Sequence, residues 1–255
     1  KARIDGCQAP LTFMRNEEES IIAQVRRDCE AARETGRGVN IGEDTARAIG
    51  EAAREQGIRM SLHAPYYINL SGDSDERMEK NCEYIVKSAR CCDWLGGDRI
   101  VVHCGGLSGM ERQVALEHTL LNLRHGLQAL EDAGLGDVRM CIETMGKRNQ
   151  LGTLDEVIEQ CKVDPHFHPV VDFGHLNARG VGGQFPDRDS YRRVFHTIAD
   201  KLGAEYATHL HCHFSKIEFT DAGEKRHVTF EDTVFGPEFE PLMEAIIADN
   251  LCPRI

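Results

Sequence analysis

Apolar and polar positions along this chain fall into blocks that switch between two periods. Short runs rich in β-branched and aliphatic residues are each followed by a longer stretch with apolar residues near every third or fourth position. That is the pattern of strands alternating with amphipathic helices. Residues 2–6 read as a short first strand, and residues 17–34 as a charged helix with Ile21, Ile22, Val25 and Cys29 near helical spacing. A second helix is expected over 43–56, with no convincing strand between these two helices. Strands follow at 58–63, 99–103 and 138–143, another ends at Asp172, and the next covers 206–213. Helices are expected over 75–95, 109–133, 153–161, 187–202 and 237–249, with Thr153 as an N-cap. Residues 214–230 read as a polar loop, and Arg254-Ile255 as a strand only just begun.

Strand–helix units of this length imply parallel β/α connections. Six or seven of them, with a trace of another, exceed a small doubly wound sheet and approach the eight of a TIM barrel. The expected fold class is therefore α/β, a TIM (β/α)8 barrel that is incomplete at strand 2 and strand 8, forming a single domain over 1–255. A dinucleotide-binding sheet requires a glycine-rich turn after an early strand. Gly36-Arg37-Gly38 follows no strand and lacks the third glycine.

The 255-residue chain is 41% hydrophobic and 28% charged, as in ordinary globular proteins. It has no run long enough to span a membrane and no signal-peptide pattern, so a cytoplasmic location without membrane association is expected. Its ten cysteines form no zinc-ribbon pair and read mostly as small buried apolar residues. The net charge of −12 argues against general nucleic-acid affinity, while fitting a site that holds several divalent cations.

The strand ends change the picture. Ser61-Leu62-His63, Val101-Val102-His103, Cys141-Ile142-Glu143 and Val171-Asp172 each end an apolar run in a metal-type residue, and His175 lies on the loop beyond Asp172. In His209-Leu210-His211-Cys212-His213 three imidazoles alternate onto one face, and His227 follows. All strand C-termini of a β/α barrel meet at one mouth, where active sites lie. Imidazoles with carboxylates suit Zn²⁺, and also Mn²⁺ or Fe. At least six ligands exceed one ion's needs, and a carboxylate able to bridge points to two or three metals, as in phosphodiester hydrolysis. Cys104 and Cys212 alternate to the opposite strand face and are expected to pack there.

Several of these stretches resemble motifs of endonuclease IV, the zinc-dependent apurinic/apyrimidinic endonuclease, in its order. They are Ser61-Leu62-His63-Ala64-Pro65-Tyr66-Tyr67-Ile68-Asn69-Leu70, Val102-His103-Cys104-Gly105-Gly106, Ile142-Glu143-Thr144-Met145-Gly146, Asp172-Phe173-Gly174-His175 and His211-Cys212-His213-Phe214-Ser215-Lys216. Looser forms of all but the first are shared with xylose-isomerase-like barrels. The resemblance implies a TIM barrel with three zinc ions that cleaves the DNA backbone 5′ to an abasic site. It implies that His63 and His103 bind one zinc and that Glu143, the catalytic carboxylate, bridges to a second held by Asp172 and His211. His175 and His227 would bind the third. Tyr66 and Tyr67 match positions the family inserts into DNA, and Arg37 is expected to contact phosphate. Two departures stand out. Lys225 occupies the place of a ligand aspartate, so the third site loses a carboxylate unless Glu224 swings in. The family's glutamate from the eighth strand falls beyond Ile255.

Abasic DNA is thus the expected partner of a protein expected to be monomeric. Two other readings stay open: a sugar isomerase or epimerase using one or two metals on a small sugar, and a catalytically silent barrel that only binds a ligand.

Overall fold

A computed structural model of the protein describes residues 42–255. The expected strand at 2–6, the helix at 17–34, the strand-free stretch between the first two helices and Arg37 lie outside the described residues. Five parallel strands form one sheet in sequence order, β1 (Leu62–His63), β2 (Arg99–Val102), β3 (Arg139–Glu143), β4 (Phe167–Asp172) and β5 (His211–His213). The connections are helical: α1 (Glu43–Glu55) precedes β1, and α2 (Asp75–Trp94), α3 (Arg112–Asp132) and α4 (Leu154–Cys161) follow β1, β2 and β3. After β4 come α5 (Phe173–Arg179), α6 (Arg188–Leu202) and α7 (Ala204–Thr208). An antiparallel hairpin, β6 (Lys216–Thr220) and β7 (Gly223–Val228), then leads to α8 (Glu240–Ala248). Arg254 adds a single parallel bridge to His211, beside β5.

Helix starts follow the side-chain chemistry. Ser74 caps α2, and reciprocal capping boxes start α4 (Thr153 with Glu156) and α6 (Asp187 with Ser190). The outer sheet face carries the apolar core: Ile100, Val102, Met140, Ile142 and Phe167 pack with Ile85, Ala89, Leu123 and Leu130 of α2 and α3. Val171 and Cys212 pack with Tyr191, Phe195 and Ile198 of α6 and with Leu242 of α8. Cys104 and Cys212 are buried in these two clusters, as the alternation of side chains requires.

The inner face is layered. Val101, Cys141 and Val170 form a fully buried apolar tier. One pleat toward the C-terminal ends stand His103, Glu143 and Asp172, and one pleat the other way stand Arg99, Arg139 and His168. The barrel interior therefore has a dry middle with polar chemistry at both ends.

Four elements differ from the sequence pattern. The strand expected over 58–63 is only Leu62–His63. Residues 206–208 are helical, because Ala204-Glu205-Tyr206-Ala207 favours a turn of helix that restarts after the α6 cap Gly203. The strand is thus only His211–His213. The stretch after it is a hairpin: β6 alternates Ile217 and Phe219 with polar residues over only five positions, and its partner β7 is polar and largely exposed, so little apolar pattern marks the pair. Finally, His175 lies on the short helix α5, which Asp172 caps by accepting the His175 backbone N–H at 2.8 Å.

Candidate metal centre

Glu143 ends β3 with its carboxylate almost wholly buried at the barrel mouth. Its two oxygens face different groups. Oε2 lies 2.9 Å from His63 Nε2 and 2.7 Å from His103 Nε2, and those two nitrogens are 3.1 Å apart. Oε1 lies 2.6 Å from His213 Nδ1. Burial alone would raise the Glu143 pKa, but the His213 and His103 rings outweigh it and hold the carboxyl well below its usual range.

The tautomers are constrained. His63 Nδ1 lies 2.7 Å from the Ala64 carbonyl, which only accepts, so the ring proton sits there. A neutral His63 then presents a lone pair at Nε2 to an anionic oxygen, an arrangement that calls for positive charge between them. His175 repeats the device, donating from Nδ1 to the Thr144 carbonyl at 2.8 Å and turning Nε2 to the site. Such carbonyl partners orient metal-ligating imidazoles.

Donor atoms within 4.8 Å of one another form three overlapping groups: His63, His103 and Glu143; Glu143, Asp172 and His213; and Asp172, His175 and His227. The carboxylate of Glu224 stands beside the third, 3.6 Å from His175 Nε2 and 3.6 Å from His227 Nε2. Five imidazoles and three carboxylates thus crowd one mouth. Burial lowers the pKa of His175, but Asp172, Glu143 and Glu224 more than reverse it, and Glu143 does the same for His213 against burial. The pocket favours added positive charge. His213 Nε2 is also buried without a hydrogen-bond partner. Soft imidazole and hard carboxylate donors at these spacings fit divalent ions such as Zn²⁺, whose tetrahedral ligands at ~2.1 Å lie ~3.4 Å apart.

The amino-acid sequence matches the xylose isomerase-like TIM barrel family over residues 27–251. The chain belongs to that family. An uncharacterized protein of Methanocaldococcus jannaschii is 31% identical over 199 residues, covering 78% of this chain and 71% of its own length. A protein of Mycoplasma pneumoniae named as a probable endonuclease 4 is 27% identical over 192 residues. That match covers 73% of this chain, which spans only 63% of the length of that relative. Among solved structures, endonuclease IV from Thermus thermophilus superposes with a TM-score of 0.58 at 18% identity, covering 89% of this chain and 82% of the other. A D-tagatose 3-epimerase-like protein superposes with a TM-score of 0.61 at 17% identity, covering 82% and 74%. Both superpositions describe the barrel fold.

Within this xylose isomerase-like barrel the expected residues His63, His103, Glu143, Asp172, His175 and His227 come together, and His211 does not. His213 occupies the position expected of His211. His211 lies one pleat deeper, bridged to Arg254, with both ring nitrogens buried and unpartnered among the described residues, and burial holds its pKa well below the usual imidazole value. His209 is exposed at the end of α7 beside Glu205 and takes no part. Lys225 points away from the site, its ammonium 2.5 Å from Glu218 Oε1, so it does not oppose a cation near His227. Tyr66 is 77% exposed on the loop after β1, whereas Tyr67 packs its ring against Tyr84 and is half exposed.

Further residues support this set. Ser215 Oγ is hydrogen-bonded to His227 Nδ1 at 2.6 Å. Glu224 is carried on the hairpin, whose backbone is stitched to the loop after β3 through its own N–H and the Gly146 carbonyl. Gly146 permits this approach, since a Cβ there would lie 2.6 Å from the Glu224 Cβ. Arg179 holds the same loop by donating to the carbonyls of Lys147 and Gln150 at 2.6 and 3.1 Å. Among the described residues no helix is long and apolar enough to cross a membrane.

Proposed function

We propose that this chain is a metal-dependent phosphodiester hydrolase that cleaves the DNA backbone 5′ to abasic sites. The observation that carries the reading is the division of Glu143, with one oxygen toward His63 and His103 and the other toward His213. A carboxylate placed so could be shared by two cations. In this reading His63, His103 and Glu143 hold the first ion and Glu143, Asp172 and His213 the second. Asp172, His175 and His227, with Glu224, hold the third. Zn²⁺ suits this donor set, and Mn²⁺ or Fe would also fit. When bound, such ions would activate water and stabilise the leaving oxygen of a phosphodiester. The mycoplasma relative's name supports the same reaction.

The chain's own residues set the geometry. The Ala64 and Thr144 carbonyls fix the lone pairs of His63 and His175, and Ser215 fixes His227. Glu143 and Asp172, each shared by two of the donor groups, would offset the mutual repulsion of neighbouring cations when these are bound. Tyr66, exposed and flanking the mouth, offers a ring face on which a base beside the missing one can stack, with Tyr67 as its buttress. Arg37, on phosphate, completes the proposed contacts.

The net charge of −12 favours one other reading, a sugar epimerase with fewer ions on the same barrel, because an uncharged substrate needs no basic groove. One assay separates the two. The metal-loaded protein is incubated with a duplex holding a single abasic site and, separately, with a panel of ketohexoses. Cleavage 5′ to the site that chelator abolishes supports the proposal. An intact duplex with an epimerised sugar overturns it.

A further inference from the structure

The barrel's opposite end carries a second polar cluster that the proposed reaction does not use. Arg99 donates to Asp98 through Nε at 3.0 Å and Nη2 at 2.8 Å. Arg139 reaches the same carboxylate through Nη1 at 3.2 Å, and Arg254 through Nη1 at 3.1 Å. Three guanidinium groups thus share one carboxylate, a local excess of two positive charges. Arg59 lies near enough to add to the positive field on Arg254, and burial followed by that field from Arg99 lowers the Arg254 pKa. His168 completes the wall, kept neutral at physiological pH by burial and by Arg139 and Arg99, which bring its pKa to about 4.

The arginines are not merely solvated. The side chains of Arg99 and Arg254 are 12% and 10% exposed, while Asp98 and Arg139 remain open to solvent at 44% and 45%. Arg254 Nη2 is buried and has no hydrogen-bond partner among the described residues. A buried donor without a partner is costly, more so on a charged group. The dry tier of Val101, Cys141 and Val170 separates this end from the metal centre, four residues along β2 or roughly 13 Å at the rise of a parallel strand.

We infer that the N-terminal end of the barrel is an anion site for a small tetrahedral oxyanion, either free phosphate or the terminal group of a phosphate monoester. Guanidinium groups present paired donors to such oxygens. Asp98 is then a resident competitor that occupies the arginines' donors when the ligand is absent. This inference is independent of the reaction proposed for the other end.

Calorimetric titration of the metal-loaded protein with sulfate, inorganic phosphate and glycerol phosphate tests it. Sulfate is a weak ligand for the metals expected here, so it reports on the arginines. Saturable 1:1 binding of sulfate is expected, weakened at least tenfold in Arg139→Met, a half-exposed position that leaves the fold intact, and in Arg254→Met. Asp98→Asn removes the competitor and should tighten binding several-fold, whereas a purely structural ion cluster predicts no gain. Glu143→Gln should leave sulfate affinity unchanged. Equal affinity for both phosphates assigns the free ion, and tighter binding of glycerol phosphate assigns the monoester. Absence of sulfate binding, binding indifferent to both arginine substitutions, no tightening in Asp98→Asn, or loss of binding in Glu143→Gln overturns the site.

Discussion

Glu143 Oε1 lies 2.6 Å from His213 Nδ1, while the other oxygen of the same carboxylate meets His63 and His103. One buried group therefore joins donors from β1, β2, β3 and β5. Glu143→Gln keeps its shape but removes the charge that offsets the cations. We expect at least one bound ion per chain to be lost and turnover to fall by about 100-fold or more, beyond the ~10–100-fold that changing a residue behind a metal ligand costs. Far-UV circular dichroism should be unchanged. Full metal and full turnover would rule out the bridging role.

His211 and His213 separate by a simple pair of substitutions. His213→Ala should cost one ion and most activity. His211→Leu should keep metal and turnover, because a neutral ring with two unpartnered nitrogens in an apolar tier gains nothing from its polarity. Its melting temperature should hold or rise. Metal loss in His211→Leu with retention in His213→Ala would reverse the assignment.

The hairpin supplies the third carboxylate. Glu224→Gln should lower metal stoichiometry by one, and Gly146→Ala should do the same in part by pushing Glu224 away. Lys225→Asp should change neither stoichiometry nor cleavage, since Lys225 faces Glu218 and not the site. A gain of metal in Lys225→Asp would show that the site lacks a carboxylate after all.

What can be read from the sequence follows from strand geometry. Parallel strands must release their polar termini at one mouth, so His63, His103, Glu143 and Asp172 are legible as a set from their places at the ends of apolar runs. The choice between His211 and His213 is not. Alternate residues share a face, and only the pairing of His211 with Val170 and Arg254 places it a tier below. Glu224 is visible as a nearby carboxylate, but a polar hairpin leaves little apolar alternation to place it. The arginine cluster is invisible in the sequence because Arg99, Arg139 and Arg254 span more than half the chain: Arg99 and Arg139 meet only through the pairing of β2 with β3, and Arg254 joins them through Asp98.

Asp98 gives a stability prediction. Burial would raise its pKa, but Arg99 and Arg254 hold it well below the usual carboxylate range. A depressed folded-state pKa contributes stability that is fully present above the unfolded value, near 4, and lost as pH falls toward the folded value. Asp98→Asn should therefore cost about 1 kcal/mol at pH 7, a figure already reduced for its solvent exposure. The gap from the natural protein should close below about pH 4. Urea melts at pH 7 and pH 3 check it, and a gap that widens in acid contradicts the assignment.

The overlapping donor groups at the mouth call for a cluster of ions and not a single one. Elemental analysis of protein purified without added metal, normalised to chain concentration, tests it most directly. Two or three divalent ions per chain, zinc foremost, are predicted, with at least one fewer in Glu143→Gln. A folded protein that carries no metal, or one ion unaffected by that substitution, would contradict the account.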